Sequence, residues 1–400
     1  MTGSASFEGA LAFAADLIRI PGLPGREAEV AARVRQEMEV LGLADVRVDA
    51  AGNVIGVARG RGGAPPVMVN SHLDVVAEGE HSDWEVPPFS GEVRDGCLHG
   101  RGAMDIKGPL AIQTYAAAAL IDSAPGDVIV AHTVLEERGG LGMRHLLESG
   151  SVDPAAVVLG EATHGDVCIG HRGRAEVEVV IEGIAGHASV PERASNALDL
   201  LGDVLAAVRD VALERVTDPV LGEESLVATM VDVLPETRNV IPDRVVVAVD
   251  WRVLPGTEGP SLLARLRSRI HYRVGTLPSG LTYEVRLATE RQRTYTGLEE
   301  DVGLFSPGFI MDAEHPVVRA AARAAGRRFE GSGAAAVRPW RFATDGGWSS
   351  GVHGIPTIGF APGEERYAHT NRERLDVEEA RWAFQRYPEV IVAIQRALAR

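Results

Sequence analysis

The sequence predicts an α/β protein in which a central mixed sheet is flanked by helices and interrupted by a separate α+β module. Three observations predict it. The first 170 or so residues alternate short apolar runs with amphipathic stretches. Near Arg174 the pattern changes to period two, as in Glu176-Val177-Glu178-Val179-Val180-Ile181-Glu182. After about residue 291 the first pattern returns. Alternating strands and helices with short connections imply a sheet covered by helices. The division expected is 1–173, 174–290 and 291–400, the middle segment being an insertion of common domain size.

The opening stretch, with Glu8, Asp16 and Arg19 interrupting apolar residues, reads as an amphipathic helix rather than a signal peptide, since it has no basic leading region. Residues 27–43 carry Val30, Val34, Met38 and Leu41 at helical spacing. Short strands are expected at 45–51 and 53–57 around Gly52, and a buried strand at 66–70 leading into Ser71-His72. A helix over 108–122, a strand over 127–135, a helix over 141–148 and a strand over 155–159 follow. In the insertion, 196–211 is amphipathic, 245–253 a strand, 261–270 a helix and 281–287 a strand. That order resembles a ferredoxin-like β-α-β-β-α-β unit. The last part holds a helix over 316–328, turns over 331–340, a strand over 357–360 and a closing helix over 377–398.

With 56 acidic against 40 basic residues and a formal charge of -16, the chain would be repelled by nucleic acid and by anionic membranes, so neither is an expected partner. Two cysteines in 400 residues make no disulfide framework and no Cys-rich zinc ribbon. The most apolar later stretch, 110–121, falls short of the roughly 20 residues of a membrane span, and a cytoplasmic location is the expectation.

Chemistry concentrates where strands end. His72 and Asp74 follow an apolar run, Glu136 and Glu137 follow another, and Glu161 a third, so three strands would deliver ligands to one rim of the sheet. His72, Asp105, Glu137, Glu161 and His369 suit two zinc ions: one imidazole and one terminal carboxylate for each, and one carboxylate shared. One carboxylate is left over to serve as a base. Asp74, two residues after His72 in an extended segment, is placed to orient the imidazole. Cobalt or manganese fits the same oxygen and nitrogen donors.

Several motifs, in order, carry a resemblance to a known family. They are Ser71-His72-Leu73-Asp74, Gly100-Arg101-Gly102-Ala103-Met104-Asp105-Ile106-Lys107-Gly108, Glu136-Glu137-Arg138-Gly139-Gly140, Gly160-Glu161-Ala162-Thr163, Gly186-His187-Ala188-Ser189, Asn239-Val240-Ile241-Pro242-Asp243 and Ala368-His369-Thr370. Together they resemble the M20 metallopeptidases, a family that includes acetylornithine deacetylase, succinyl-diaminopimelate desuccinylase, aminoacylase and glutamate carboxypeptidase. The resemblance implies a zinc-binding catalytic domain interrupted by a ferredoxin-like lid that dimerises. It implies that Asp105 bridges the metals, that His72 and Glu161 bind one and Glu137 and His369 the other, and that Glu136 is the general base. It assigns His187 to the oxyanion, in the partner subunit's site of a homodimer, and Glu161, rather than Asp, to deacylases and carboxypeptidases. Arg172, Asn239, Arg252 and Thr344 are candidates for gripping a substrate carboxylate, for which the Arg fork is suited.

The expected activity is cleavage of the amide of an N-acyl amino acid, with dipeptide or carboxypeptidase substrates as the alternative. A silent binding protein on the same fold would have lost the base or ligands, and all are present. A nucleotide-binding α/β enzyme would need a Gly-rich phosphate loop after its first strand, and there is none.

Overall fold

Ser6 begins the first helix by accepting a hydrogen bond from the Gly9 amide, which satisfies one of the helix's orphan donors. A computed structural model describes residues 5–214, 216–328 and 333–400. Met1–Ser4 of the opening stretch, and Gly331 and Ser332 of the expected turns, lie outside the described residues. The chain divides into two compact units. The first holds the described residues up to His171, Gln292–Glu300 and those from Ile310 onward; the second holds Arg172–Arg291 and Asp301–Phe309.

In the first unit, helices α1 (Phe7–Ile18) and α2 (Ala28–Val40) precede strands β1 (Ala44–Val48), β2 (Val54–Ala58) and β3 (Val67–His72). Helix α3 (Lys107–Ala118), strand β4 (Val128–Thr133), helix α4 (Leu141–Glu148), and strands β5 (Ala156–Leu159) and β6 (Val167–Cys168) follow. Strands β3, β4 and β5 are buried along their whole length, as continuous apolar runs require when helices cover both faces of a sheet. All twelve residues of α3 are buried, so it has no polar face for periodicity to reveal.

The second unit opens with β7 (Gly173–Glu182), α5 (Leu201–Leu213) and then β8 (Ser225–Leu234), a strand that the sequence pattern leaves unlocated. Strand β9 (Arg244–Val253), helix α6 (Gly259–Val274) and β10 (Thr282–Leu287) complete it in the order β8-β9-β7-β10, every pair antiparallel. Strand β9 alternates strictly between half-buried and buried residues, and its inward side chains Val245, Val247, Val249, Trp251 and Val253 pack with Val204 and Val208 of α5 and Leu262, Leu266 and Ile270 of α6. Strand β8 is an edge whose apolar residues Val227 and Met230 are more than half exposed, so it shows none of the alternation that makes β9 legible. The segment Asp301–Phe309, expected in the final part of the first pattern, lies instead with this unit, where Phe305 and Ser306 pair with Ala175 and Arg174 of β7.

The chain then completes the first unit. Helix α7 (Pro316–Ala325) stops short of the expected Arg328 because Gly326, at φ 68°, takes the left-handed conformation that ends helices. Strands β11 (Val337–Arg338) and β12 (Thr357–Gly359) join the sheet, and α8 (Val377–Leu398) closes it, capped by the Asp376 carboxylate on the Glu379 amide. The eight strands run β1-β2-β4-β3-β5-β12-β6-β11. Strands β4, β3, β5 and β12 are mutually parallel, whereas β1 on β2, β2 on β4 and β6 on β12 are antiparallel, so the sheet is mixed. No helix among the described residues is long and apolar enough to cross a membrane.

Trp251 is the largest fully buried side chain of the second unit. Trp251→Ala will cost the second unit about 3–5 kcal/mol in urea unfolding followed by circular dichroism.

Candidate metal centre

Three neighbouring parallel strands end side by side, and each passes a polar group to the same rim. His72 is the last residue of β3. Glu136 and Glu137 begin a single 3-10 turn just after β4, entered through Leu135 at φ 55°. Glu161 follows β5 by two residues. A side chain at Gly160 would place its Cβ 2.2 Å from the Ser71 hydroxyl oxygen, so glycine lets the Glu161 segment lie against β3. Behind them, Ser71 Oγ donates to Gln113 Oε1 at 2.8 Å and Gln113 Nε2 to the Val158 carbonyl at 3.1 Å, which ties β3 and β5 to α3. Asn53 braces the third strand end: it accepts from the Val134 amide at 3.0 Å and donates to the Gly142 carbonyl at 2.9 Å.

Asp105 lies in the turn two residues before α3, and His369 in a turn after β12, with φ 59°. The two oxygens of Asp105 face two imidazoles: Oδ1 is 3.3 Å from His72 Nε2 and Oδ2 is 3.2 Å from His369 Nε2. Glu161 Oε1 is 3.5 Å from His72 Nε2, and Glu137 Oε1 is 3.0 Å from His369 Nε2. Two groups able to hold a metal ion result, His72–Asp105–Glu161 and Asp105–Glu137–His369, with Asp105 common to both. Glu136 belongs to neither, but its Oε2 is 3.9 Å from His72 Nε2.

The residues fit a pair of divalent cations. His72 Nε2 is buried with no hydrogen-bond partner, while its Nδ1 is fixed by the Asp74 carbonyl at 2.8 Å, which leaves the Nε2 lone pair for a ligand. Burial drives the Glu136 carboxyl well above its ordinary value and Glu161 up to about 7, although the His72 imidazole draws both the other way. Hydrogen bonds to Asp105 and Glu137 lift His369 to about 10. Burial works against an ionised Asp105, yet the His369 and His72 imidazoles hold it well below the usual carboxylate range. The cluster carries more buried negative charge than two imidazoles can neutralise, and divalent cations are the partners such oxygen and nitrogen donors take.

Asp74 meets the His72 imidazole through its main chain and the neighbouring turn through its side chain. Its carboxylate is 3.6 Å from His72 Nδ1, which bonds the Asp74 main-chain carbonyl instead. The two carboxylate oxygens accept the backbone amides of Glu136 and Glu137, each at 3.1 Å. Asp74 thus fixes the turn that aims both glutamates, because its backbone leaves the strand and turns its side chain toward the next strand end.

Thr344 is buried; its amide donates to His171 Nε2 at 3.0 Å and its hydroxyl accepts from the Gly346 amide at 3.1 Å. The remaining candidates belong to the second unit. His187 and Asn239 are exposed and adjacent on a two-stranded ribbon, with the Ala188 amide on the Asn239 carbonyl at 3.1 Å and the His187 ring 2.7 Å from Ser189 Oγ. Arg172 Nη1 donates to the Glu223 carbonyl at 2.5 Å, and Arg252 Nε to the Asp250 carboxylate at 2.8 Å. Two buried carboxylates near the centre gave no sequence signal of their role. Asp345 directly follows the candidate Thr344, and its Oδ2 takes the Thr133 hydroxyl at 2.7 Å at the end of β4. Glu373 sits four residues after His369 in a stretch of mixed charge that reads as solvated surface, and is 1% exposed.

The chain is similar to known proteins along most of its length. The model of the peptidase family M20/M25/M40 matches residues 68–392. The YgeY protein of Escherichia coli K12 is 30% identical over 370 residues, covering 90% of this chain and 88% of its own. A succinyl-diaminopimelate desuccinylase of Caulobacter vibrioides is 32% identical over 261 residues, 62% of this chain and 66% of that protein. Among solved structures, aminopeptidase PepT of Bacillus cereus superposes with a TM-score of 0.73 at 21% identity over 100% of both chains. A dinuclear metal-binding M20 peptidase of Bacillus subtilis superposes with a TM-score of 0.71 at 17% identity, covering 98% of this chain and 99% of its own. The chain belongs to the M20 peptidase family. It is a metal-dependent hydrolase.

Asp74→Asn keeps one acceptor for the Glu136–Glu137 amide pair but turns an NH2 group toward the other amide. The buried mismatch will cost about 1–3 kcal/mol in the urea midpoint of the metal-free protein.

Proposed function

We propose that the protein is a dizinc hydrolase that cleaves the amide bond of N-acyl amino acids, with Glu136 as general base. The observation that carries this reading is the sharing of Asp105 between two ligand groups, with an uncommitted carboxylate, Glu136, at their edge. His72, Asp105 and Glu161 would hold one ion, and Asp105, Glu137 and His369 the other. The bound pair supplies Lewis acidity, polarising the scissile carbonyl and acidifying water.

The protein's own groups do the rest. Glu136 accepts a proton from the attacking water as the water oxygen bonds to the acyl carbon. The same carboxyl delivers that proton to the amide nitrogen as the C–N bond breaks, releasing an amine and a carboxylic acid, whose remaining water-derived proton passes to solvent. To His187 we assign the donor to the oxyanion, and to Arg172, Asn239, Arg252 and Thr344 the substrate carboxylate. Of these, Arg252 already has a carboxylate partner in Asp250.

Glu at position 161 and relatives named as desuccinylases favour an acyl amino acid. Dipeptides and carboxypeptidase substrates are the rival class, matched by structures described as a di-peptidase and a metallo-carboxypeptidase, whose identity of 15% to this chain carries the fold alone. The test is a panel of N-acetyl and N-succinyl amino acids and dipeptides. Acyl amino acids are expected to be turned over fastest; dipeptide turnover alone would replace the substrate assignment. Glu136→Gln will lower kcat by about 10^2–10^4 while leaving two zinc ions per chain by atomic absorption. Full activity of that variant would remove Glu136 from the mechanism.

We further propose a homodimer formed through the second unit. The apolar residues Val227, Met230, Val231 and Leu234 of β8 are 40–57% exposed on a strand at the edge of its sheet. Met230→Arg will shift the species in sedimentation equilibrium from dimer to monomer; an unchanged dimer would place the interface elsewhere.

A further inference from the structure

We propose that Arg101 and Glu373 form a positioning pair that sets both metal-binding groups at once, by clamping the segment that carries Asp105 to the segment that carries His369. The proposal rests on the dimetal reading and assigns it two further residues. Neither side chain touches a ligand atom of the centre. Glu373 Oε1 accepts the main-chain amides of Met104 at 3.2 Å and of Asp105 itself at 3.1 Å. Glu373 Oε2 receives Arg101 Nη1 at 2.5 Å. The same Nη1 donates to the carbonyl of Thr370, the residue after His369, at 3.2 Å, and Nη2 reaches the Ala77 carbonyl, beyond the His72 segment, at 3.5 Å. The Gly100 amide on the Glu373 carbonyl, at 3.3 Å, closes the connection from the main-chain side.

The geometry goes beyond general support. Both side chains are essentially excluded from water, 3% and 0% exposed, and the Arg101 guanidinium lies 5.0 Å from the centre of the Trp84 ring. A buried ion pair is a weak source of stability, because desolvation offsets its attraction, but it holds its partners to one arrangement when every bond is directional. Here the two ligand-bearing segments of Asp105 and His369, distant in sequence, converge with the Ala77 carbonyl on one guanidinium and one carboxylate. Asp105 is the residue common to both groups, so an error in its backbone displaces one oxygen from each. Outer-shell partners of this kind change metal affinity about 10–100-fold when removed.

The distinguishing prediction is that the loss falls on both ions together. Zinc affinities of wild type, Glu373→Gln, Glu373→Ala and His369→Ala are measured by competition with a chromophoric chelator, and the cobalt-substituted proteins by visible absorption. Wild type binds two ions. His369→Ala weakens one. Glu373→Ala weakens both by about 10–100-fold and alters the cobalt bands. Glu373→Gln, which keeps an oxygen for the two amides, weakens both by a smaller factor, about threefold or more on the same scale. If Glu373→Ala does not fold by circular dichroism, Glu373→Gln decides by the same criterion. Affinities of a folded variant within twofold of wild type, or a loss confined to one ion, overturn the proposal whatever happens to Tm. Failure of wild type to bind two ions overturns instead the dimetal reading.

Discussion

Uncompensated negative charge in a buried place is the constraint on which this molecule is built. Asp105, Glu136, Glu137 and Glu161 gather around two imidazoles at one rim of a sheet, and burial alone would drive several of them to take protons. A chain does not tolerate such a cluster for stability's sake, since apolar residues would pack there at less cost. The surrounding architecture answers that constraint. Three adjacent parallel strands end together, a wholly buried helix braces them, and each ligand segment is fixed by main-chain bonds to polar residues that are themselves buried.

The same logic accounts for what was legible in the residues and what was not. Ligands at strand ends announce themselves, because an apolar run followed at once by His or Glu is a pattern that local reading detects. Thus His72, Glu136, Glu137 and Glu161 could be placed on one rim before any coordinates, and the buried strands β3, β4 and β5 came within a few residues of their observed limits. Asp105 and His369 lie in turns, and only the order of motifs pointed to them. The supporting carboxylates were silent. Glu373 stands among Asn371, Arg372 and Arg374 and looks solvated, yet it is closed off by a residue 272 positions away. No window of sequence contains that pairing.

Departures from the sequence pattern have equally physical causes. Parity between side chains two apart in a strand points the Asp74 carboxylate at the His72 imidazole; the strand ends at His72, so the Asp74 carbonyl takes Nδ1 and the carboxylate turns to the neighbouring backbone. Strand β8 escaped because most of its apolar residues are exposed and follow no alternation that separates inside from outside. Helix α7 ended early at a glycine whose backbone conformation ordinary side chains resist. At Asp74 and β8 tertiary contacts, or their lack, outranked a local pattern, whereas at α7 the local backbone decided.

The order of strands in the larger sheet has a consequence for synthesis. Strand β12 sits between β5 and β6, yet almost two hundred residues separate it from either in the chain, and the whole second unit is made in between. A ribosome therefore releases the inserted unit, with its own complete set of strands, while the larger sheet still has a gap in its middle. His369 is translated later still, so during elongation the acidic rim stands half assembled, with one imidazole and most of its carboxylates exposed. The nascent polypeptide holds every ligand of the centre only once His369 has been translated.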